Sequence, residues 1–259
     1  MKRFLLCALA LLLVLLSGCG KTVTGSDAEY VKDKGTLVVG VTVFEPMDYQ
    51  DESGQWLGFD AELARAFAEF LGVQAEFQII DWNSKVFELN GKTIDVVWNG
   101  MTLTQDVLSA MACSDAYCAN AQIVVLPQEK TAQYGTIESL KELTFAVETG
   151  SAGKEAAEAE GLTYVEVEDQ STALLEVSAG TADAAIIDSL MAGAMTGEGT
   201  SYAGLVCTLR LTSEEYGVGF RKGSDLPALL NDFLREQKAS GALEALAQRY
   251  GVQEALLQD

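Results

Sequence analysis

The sequence predicts an α/β fold built as two facing units. Three observations carry this reading. Residues 36–100 alternate short β-rich runs with segments of helical spacing, the signature of a parallel sheet covered by helices. The alternation begins again beyond residue 120 and weakly echoes the first series. Little linker separates the two series, and a chain of 259 residues with 49% hydrophobic and 21% charged side chains can bury a sizeable core.

The elements follow in chain order. Lys2 and Arg3 precede an unbroken apolar run over residues 4–16, too short to span a bilayer comfortably as a helix. Ser17-Gly18-Cys19 ends it with small residues and a cysteine. Residues 1–18 therefore read as a signal peptide, and the Leu16-Ser17-Gly18-Cys19 ending resembles a bacterial lipobox with Cys19 as the lipidated mature N-terminus. The plainer alternative is secretion with an incidental cysteine. Small polar residues make 19–28 a tether between lipid and folded body. Residues 37–41 form a buried strand. Leu63, Ala64, Phe67, Ala68 and Leu71 recur at helical spacing, and Gly72 stops that helix. Residues 75–80 read as a strand, 84–89 as a short helix and 94–98 as a strand. In the second series, 122–126, 144–147, 163–167 and 184–187 read as strands. Residues 137–140, 154–160, 171–179 and 189–195 read as helices. A strand over 216–221 and helices over 228–237 and 242–249 complete the chain.

Composition narrows function. Lys and Arg number 17 against 38 Asp and Glu, a formal charge of −21, which argues against nucleic acid and anionic membrane as partners. The only membrane attachment expected is the Cys19 lipid. No histidine is present, which excludes Ser-His-Asp and Cys-His catalysis and every His-ligated metal site. No metal and no cofactor are expected. Cys113 and Cys118 lie close enough in sequence for a local disulfide. Free thiols are the alternative, and the spacing is not that of a CxxC redox site.

The order of short motifs is more specific than any one of them. They run Gly35-Thr36-Leu37-Val38-Val39-Gly40; Phe44-Glu45-Pro46-Met47; Gly58-Phe59-Asp60; Trp82; Gly91-Lys92 with Asp95; Gly100-Met101-Thr102-Leu103-Thr104; Ser114-Asp115 with Tyr117; Gly150-Ser151; Ala179-Gly180 with Asp183; Asp188; and Gly241-Ala242-Leu243 to Tyr250-Gly251. Over roughly residues 34–251 this series resembles the bacterial extracellular solute-binding proteins of family 3. The resemblance implies a two-lobed, type II periplasmic-binding-protein-like fold. Each lobe would be a mainly parallel sheet with flanking helices, and two hinge strands would join them. Lobe 1 would take residues 29–120 plus 213–259, and lobe 2 residues 121–212. It implies an extracytoplasmic receptor, expected as a monomer, that captures a polar amino acid or related amine between the lobes and delivers it to an ABC transporter permease. A ligand sensor for a separate signalling partner and a dehydratase-like enzyme are the alternatives.

The resemblance also assigns site residues. Phe44 and Trp82 fall where the family places aromatic rings, and two rings in an acidic cleft suit a cation. Asn99, Gly100, Met101 and Thr102 follow the strand 94–98, where the family holds the ligand head group. Ser151 and Ala152 open a helix, whose free N–H groups suit an anion. Asp188 ends the strand 184–187 and matches the family acid that pairs with an α-ammonium. Core packing for the rings, a strand-to-helix turn with Thr102 or Thr104 capping the helix for residues 99–102, and helix capping for Ser151 and Asp188 are the plainer readings.

One departure stands out. The family runs Thr-x-x-Arg after Gly-Met-Thr, and that Arg clamps the ligand carboxylate. Here the run is Thr104-Gln105-Asp106-Val107, with Val107 in place of the Arg. Lys85 is the candidate replacement cation, and Glu45, beside Phe44, a candidate extra carboxylate. Losing bonds of about 1.5–3 kcal/mol each disfavours an α-carboxylate and shifts the expected ligand toward an amine.

Overall fold

The computed structural model of the protein describes residues 26–258. The signal segment 1–18, Cys19 and the first part of the tether lie outside the described residues. The folded body begins before residue 29. Ser26 already caps a helix, Asp27–Lys34, by accepting from the Glu29 N–H at 3.1 Å, and Ala28 is buried.

Two mixed sheets organise the chain. The first contains β1 (Thr36–Val41), β4 (Gln74–Ile79), β5 (Val96–Thr102), β6 (Ala112–Cys113), β7 (Cys118–Asn120) and β13 (Glu214–Phe220). Its strands run β4-β1-β5-β13-β6, with β7 also on β13. The second orders β10 (Thr163–Val167), β9 (Thr144–Glu148), β11 (Ala184–Asp188), β8 (Gln122–Pro127) and β12 (Leu205–Arg210). A short ribbon pairs β2 (Tyr49–Gln50) with β3 (Trp56–Leu57). Parallel pairing is confined to β4-β1-β5 and β10-β9-β11. The other pairs of the two large sheets are antiparallel, because each involves β8 or β13, which follow a passage between the sheets and enter against the local direction. The sheets are thus less parallel than the βαβ pattern suggested.

The chain crosses from the first sheet to the second between Asn120 and Gln122 and returns between Arg210 and Glu214. The passes lie side by side: the Gln122 N–H donates to Thr212 Oγ1 at 2.8 Å, and the Leu211 N–H to the Gln122 carbonyl at 2.8 Å. One buried apolar cluster runs through both lobes, from Phe67 and Trp98 to Ile187 and Leu205, and a second, around Phe145, lies within the second lobe. Phe67, on the helix Phe59–Leu71, packs against Trp98 at 6.1 Å and Phe233 at 5.5 Å between ring centroids. Full burial of rings of this size contributes about 1.5–3 kcal/mol each. In the second lobe Phe145, Val147 and Ile186 pack under Ala156 and Ala157 of the helix Ala152–Glu160.

Two expectations are corrected here. Residues 99–102 are not a turn after the strand: β5 continues through Thr102, because β13 pairs with it at Met101 and Thr102. Cys113 and Cys118 are free thiols. They sit opposite Gly219 and Tyr216 of β13, an odd spacing that turns them to opposite faces. Cys113 joins the Ile80–Trp82 cluster and Cys118 the main core.

Candidate functional site

The strand ends of both sheets converge on one cleft of about 330 Å³. From the first lobe come Phe44, after β1; Trp82 and Lys85, after β4; and Asn99 to Thr102, the end of β5. From the second come Glu148, the last residue of β9; Ser151, after it; Gln170; and Asp188, the last residue of β11. Val107 lines it too, 7% exposed, packed in the apolar cluster of Ile80 and Trp82. Thr104 begins the short helix Gln105–Ala110 by accepting from the Val107 N–H at 3.3 Å. The plainer reading of this segment, with Thr102 or Thr104 capping a following helix, is right about the helix and its Thr104 cap.

Several polar groups of the floor are tied to one another and to the chain beneath. Asn99 Nδ2 donates to Asp48 Oδ2 at 2.8 Å and to the Thr42 carbonyl at 3.0 Å, while Asn99 Oδ1 accepts from the Thr42 N–H at 2.9 Å and hydroxyl at 2.8 Å. The Gly100 N–H donates to Asp60 Oδ2 at 2.7 Å, and the Thr102 hydroxyl to Glu214 Oε2 at 2.9 Å. Gly100 has φ +55°, and a Cβ there would lie 2.3 Å from Phe44 Cε1. Only glycine lets that ring lie against β5. Phe44 also meets Tyr216 edge-on at 6.3 Å.

Beneath the floor Asp48 and Asp60 are fully buried. Burial, together with the charge of Asp60, pushes Asp48 well above the usual carboxylate range. Burial pushes Asp60 to about 7 against the bonds from Gly100 and Tyr117. This pair orients Asn99 and Gly100 from below, and the sequence reading gave Asp60 only a motif role.

The second lobe supplies the buried acids of the lining, Asp188 and Glu148. Asp188 Oδ1 accepts from Asn120 Nδ2, from Gln122 Nε2 at 3.1 Å and from the Tyr216 hydroxyl at 2.9 Å; Oδ2 accepts from Gln170 Nε2. Asp188 makes no side-chain cap to the helix Ser189–Met195. Burial pushes its carboxyl to about 6, opposed by these donors and aided by Glu214. Glu148 is 2% exposed, and its Oε1 has no hydrogen-bond partner among the described residues. Burial, then Asp188 and Asp169, push it to about 8 against the pull of Lys85. Sequence reasoning missed Glu148. The signal was there: it closes the apolar run 144–147 as Asp188 closes 184–187.

Lys85 is no solvated surface lysine. It is 8% exposed, and its Nζ donates to the Trp82 carbonyl at 3.1 Å and, across the cleft, to the Gly150 carbonyl at 3.0 Å. It also sits 4.8 Å from the Trp82 ring centroid. Burial lowers its pKa, with Glu148, Glu155 and Asp81 acting the other way. Ser151 Oγ caps the helix Ala152–Glu160 by accepting from the Lys154 N–H at 3.1 Å, and Ala152 lies beside it on the cleft wall. Met101 lines the floor. Glu45 does not line the cleft. The Phe44 N–H donates to the Asp48 carbonyl at 2.7 Å across a tight turn, which points Phe44 inward and leaves half-buried Glu45 near Tyr49.

The cleft can hold a small solute beside the Phe44 and Trp82 rings, with the carboxylates of Glu148 and Asp188 on the opposite wall. Comparison with known proteins agrees with this architecture. The model of the bacterial extracellular solute-binding proteins, family 3, matches residues 37–253. The arginine-binding extracellular protein ArtP of Bacillus subtilis is 30% identical over 258 residues, covering 96% of this chain and 98% of its own. The P235GK mutant of ArgBP from T. maritima superposes with a TM-score of 0.80 at 33% identity, covering 86% of this chain and 98% of its own. The ancestral amino acid-binding protein AncCDT-1, described as a precursor of cyclohexadienyl dehydratase, gives 0.79 at 29%, covering 87% and 99%.

Proposed function

The chain belongs to the bacterial extracellular solute-binding proteins of family 3, and on that premise we propose that it is a receptor that closes over a small amine-bearing solute, a polar amino acid or its relative, between its two lobes. The lobes would be residues 29–120 plus 213–259 and residues 121–212. The filled, closed form would dock on the permease of an ABC importer. The leader at 1–18 supports attachment through a lipid on Cys19 at the outer face of the membrane. The observation that carries the reading is the cleft itself: about 330 Å³, walled by Phe44 and Trp82 from one lobe and by Asp188 and Glu148 from the other. A cavity of that size at the meeting of two sets of strand ends suits a small polar molecule. Two of the similar proteins named above are arginine binders, and the third is the precursor of an enzyme; no catalytic step enters the proposal.

The test uses protein unfolded and refolded to strip any carried solute. Amino acids, their decarboxylated amines and quaternary ammonium compounds are screened by thermal shift, and the hits by small-angle X-ray scattering. At least one compound should raise the melting temperature by several degrees, since a ligand at a hundred times its Kd adds about 2.7 kcal/mol. It should also keep the molecule in its compact form. A panel without a single stabilising compound would contradict the receptor reading.

A further inference from the structure

The cleft differs from a carboxylate site in what it leaves unsatisfied. An α-carboxylate needs donors, and three on the first lobe's wall are already engaged. The Gly100 N–H is held by Asp60, the Thr102 hydroxyl by Glu214, and Lys85 by two carbonyls. Lys154, at the rim, pairs with Glu166 at 2.9 Å. Val107 presents methyl groups where an arginine would present its fork. The acceptors are a different matter. Asp188 already receives four side-chain donors, so most of its capacity is taken. Glu148 Oε1 is buried in the same wall and receives none. An unpartnered buried carboxylate oxygen is costly unless a cation or a proton meets it.

We propose that Glu148 is the acceptor for the solute's cationic group, and that the site takes a compound bearing an ammonium or amidinium group and no α-carboxylate. This rests on the receptor reading above and deepens it. The solute's cation would donate to Glu148 Oε1, with Asp188 Oδ2 beside it and the Phe44 face alongside. Glu148 is faced by Asp188 on β11, by Asp169 ahead of the helix Gln170–Ala179, and by Lys85 from the other lobe. With two acids against one engaged cation, the empty cleft keeps a proton on Glu148 up to about pH 8. An arriving cation displaces that proton to solvent, so binding releases close to one proton per solute at pH 6–7 and tightens as pH rises.

The experiment titrates agmatine and arginine, which share a guanidinium and differ by a carboxylate, into wild type, Glu148→Gln and the surface control Glu138→Gln. Calorimetry at pH 6, 7 and 8 in buffers of different ionisation enthalpy gives affinity and proton release. The expected result is agmatine binding that strengthens at least several-fold from pH 6 to 8, with proton release. Glu148→Gln should weaken it by about tenfold or more at pH 8 and flatten the pH dependence. Circular dichroism checks that the isosteric amide folds, and the wild-type pH profile stands even where the variant does not. Agmatine affinity that is unchanged in Glu148→Gln, or flat with pH in wild type, overturns the inference. So does arginine binding without agmatine binding, because Glu148 would then be donating its proton to a carboxylate. In each case, stabilisation by another compound of the panel leaves the receptor reading standing. Stabilisation by none removes both.

Discussion

Gly100 shows how closely one residue can tie backbone to site. Its positive φ and its missing Cβ together let Phe44 lie against β5 while its N–H reaches Asp60. Gly100→Ala puts a methyl 2.3 Å from Phe44 Cε1 and strains the backbone. The expected cost is about 1–3 kcal/mol of stability, read by urea unfolding, with solute binding lost as the ring is displaced. Binding retained at wild-type strength would show that Phe44 is not part of the solute's contact. At this scale the sequence was partly legible. Phe44, Trp82, Asp188 and the vacancy at Val107 could be read from motif order. Glu45 could not, because which side of a tight turn a side chain leaves depends on pairing that no local pattern records. Glu148 was readable by the same rule that found Asp188, an acid closing an apolar strand, and lacked only the family motif that drew attention to Asp188.

Elements were legible where periodicity or a stop signal was strong. The helix Phe59–Leu71 has an apolar stripe and ends at Gly72, whose left-handed conformation donates back to the last turn. The helix Ile137–Leu140 was bounded as found, because Thr136 and Ser139 form a reciprocal cap. Elements made by tertiary pairing were not legible. β5 runs past Trp98 only because β13 lies beside it, and β6 and β7, of two and three residues, exist as partners of the longer β13. The helix Asp27–Lys34 was hidden by its polar composition. It is tied down by the Ala28 N–H donating to Asp225 at 3.0 Å and by Arg221 pairing with Asp27 at 3.1 Å, contacts nearly 200 residues apart in sequence. The Cys113–Cys118 bridge fails at this scale too, since sequence proximity says nothing of which sheet face each thiol takes.

For the whole molecule, the two sheets and the cleft between them followed from the repeated βαβ pattern, while the state of closure did not. Lys85 reaching the Gly150 carbonyl, and the Ser171 hydroxyl donating to the Val43 carbonyl at 3.3 Å, join the lobes across the cleft. The buried acids add a pH dependence whose sign can be worked out. Glu148, Asp60 and Asp188 ordinarily titrate at 4.5, 3.8 and 3.8, and in the fold at about 8, about 7 and about 6. The folded state therefore holds protons that the unfolded chain has released. Their contribution is full below about pH 4 and is lost as pH rises through 6 to 8. The solute-free protein should lose at least about 2 kcal/mol between pH 5 and 9, on the order of 5 °C in melting temperature. Scanning calorimetry giving an equal or higher melting temperature at pH 9 would contradict this assignment of buried protons. The central claim, a receptor whose cleft selects a cation because it lacks a carboxylate clamp, is tested most directly by one calorimetric comparison at pH 8, of agmatine against arginine on the refolded protein. Agmatine binding the tighter by tenfold or more is the expected result. Arginine binding the tighter would contradict the claim, and would mean that an α-carboxylate is held without the arginine that Val107 replaces.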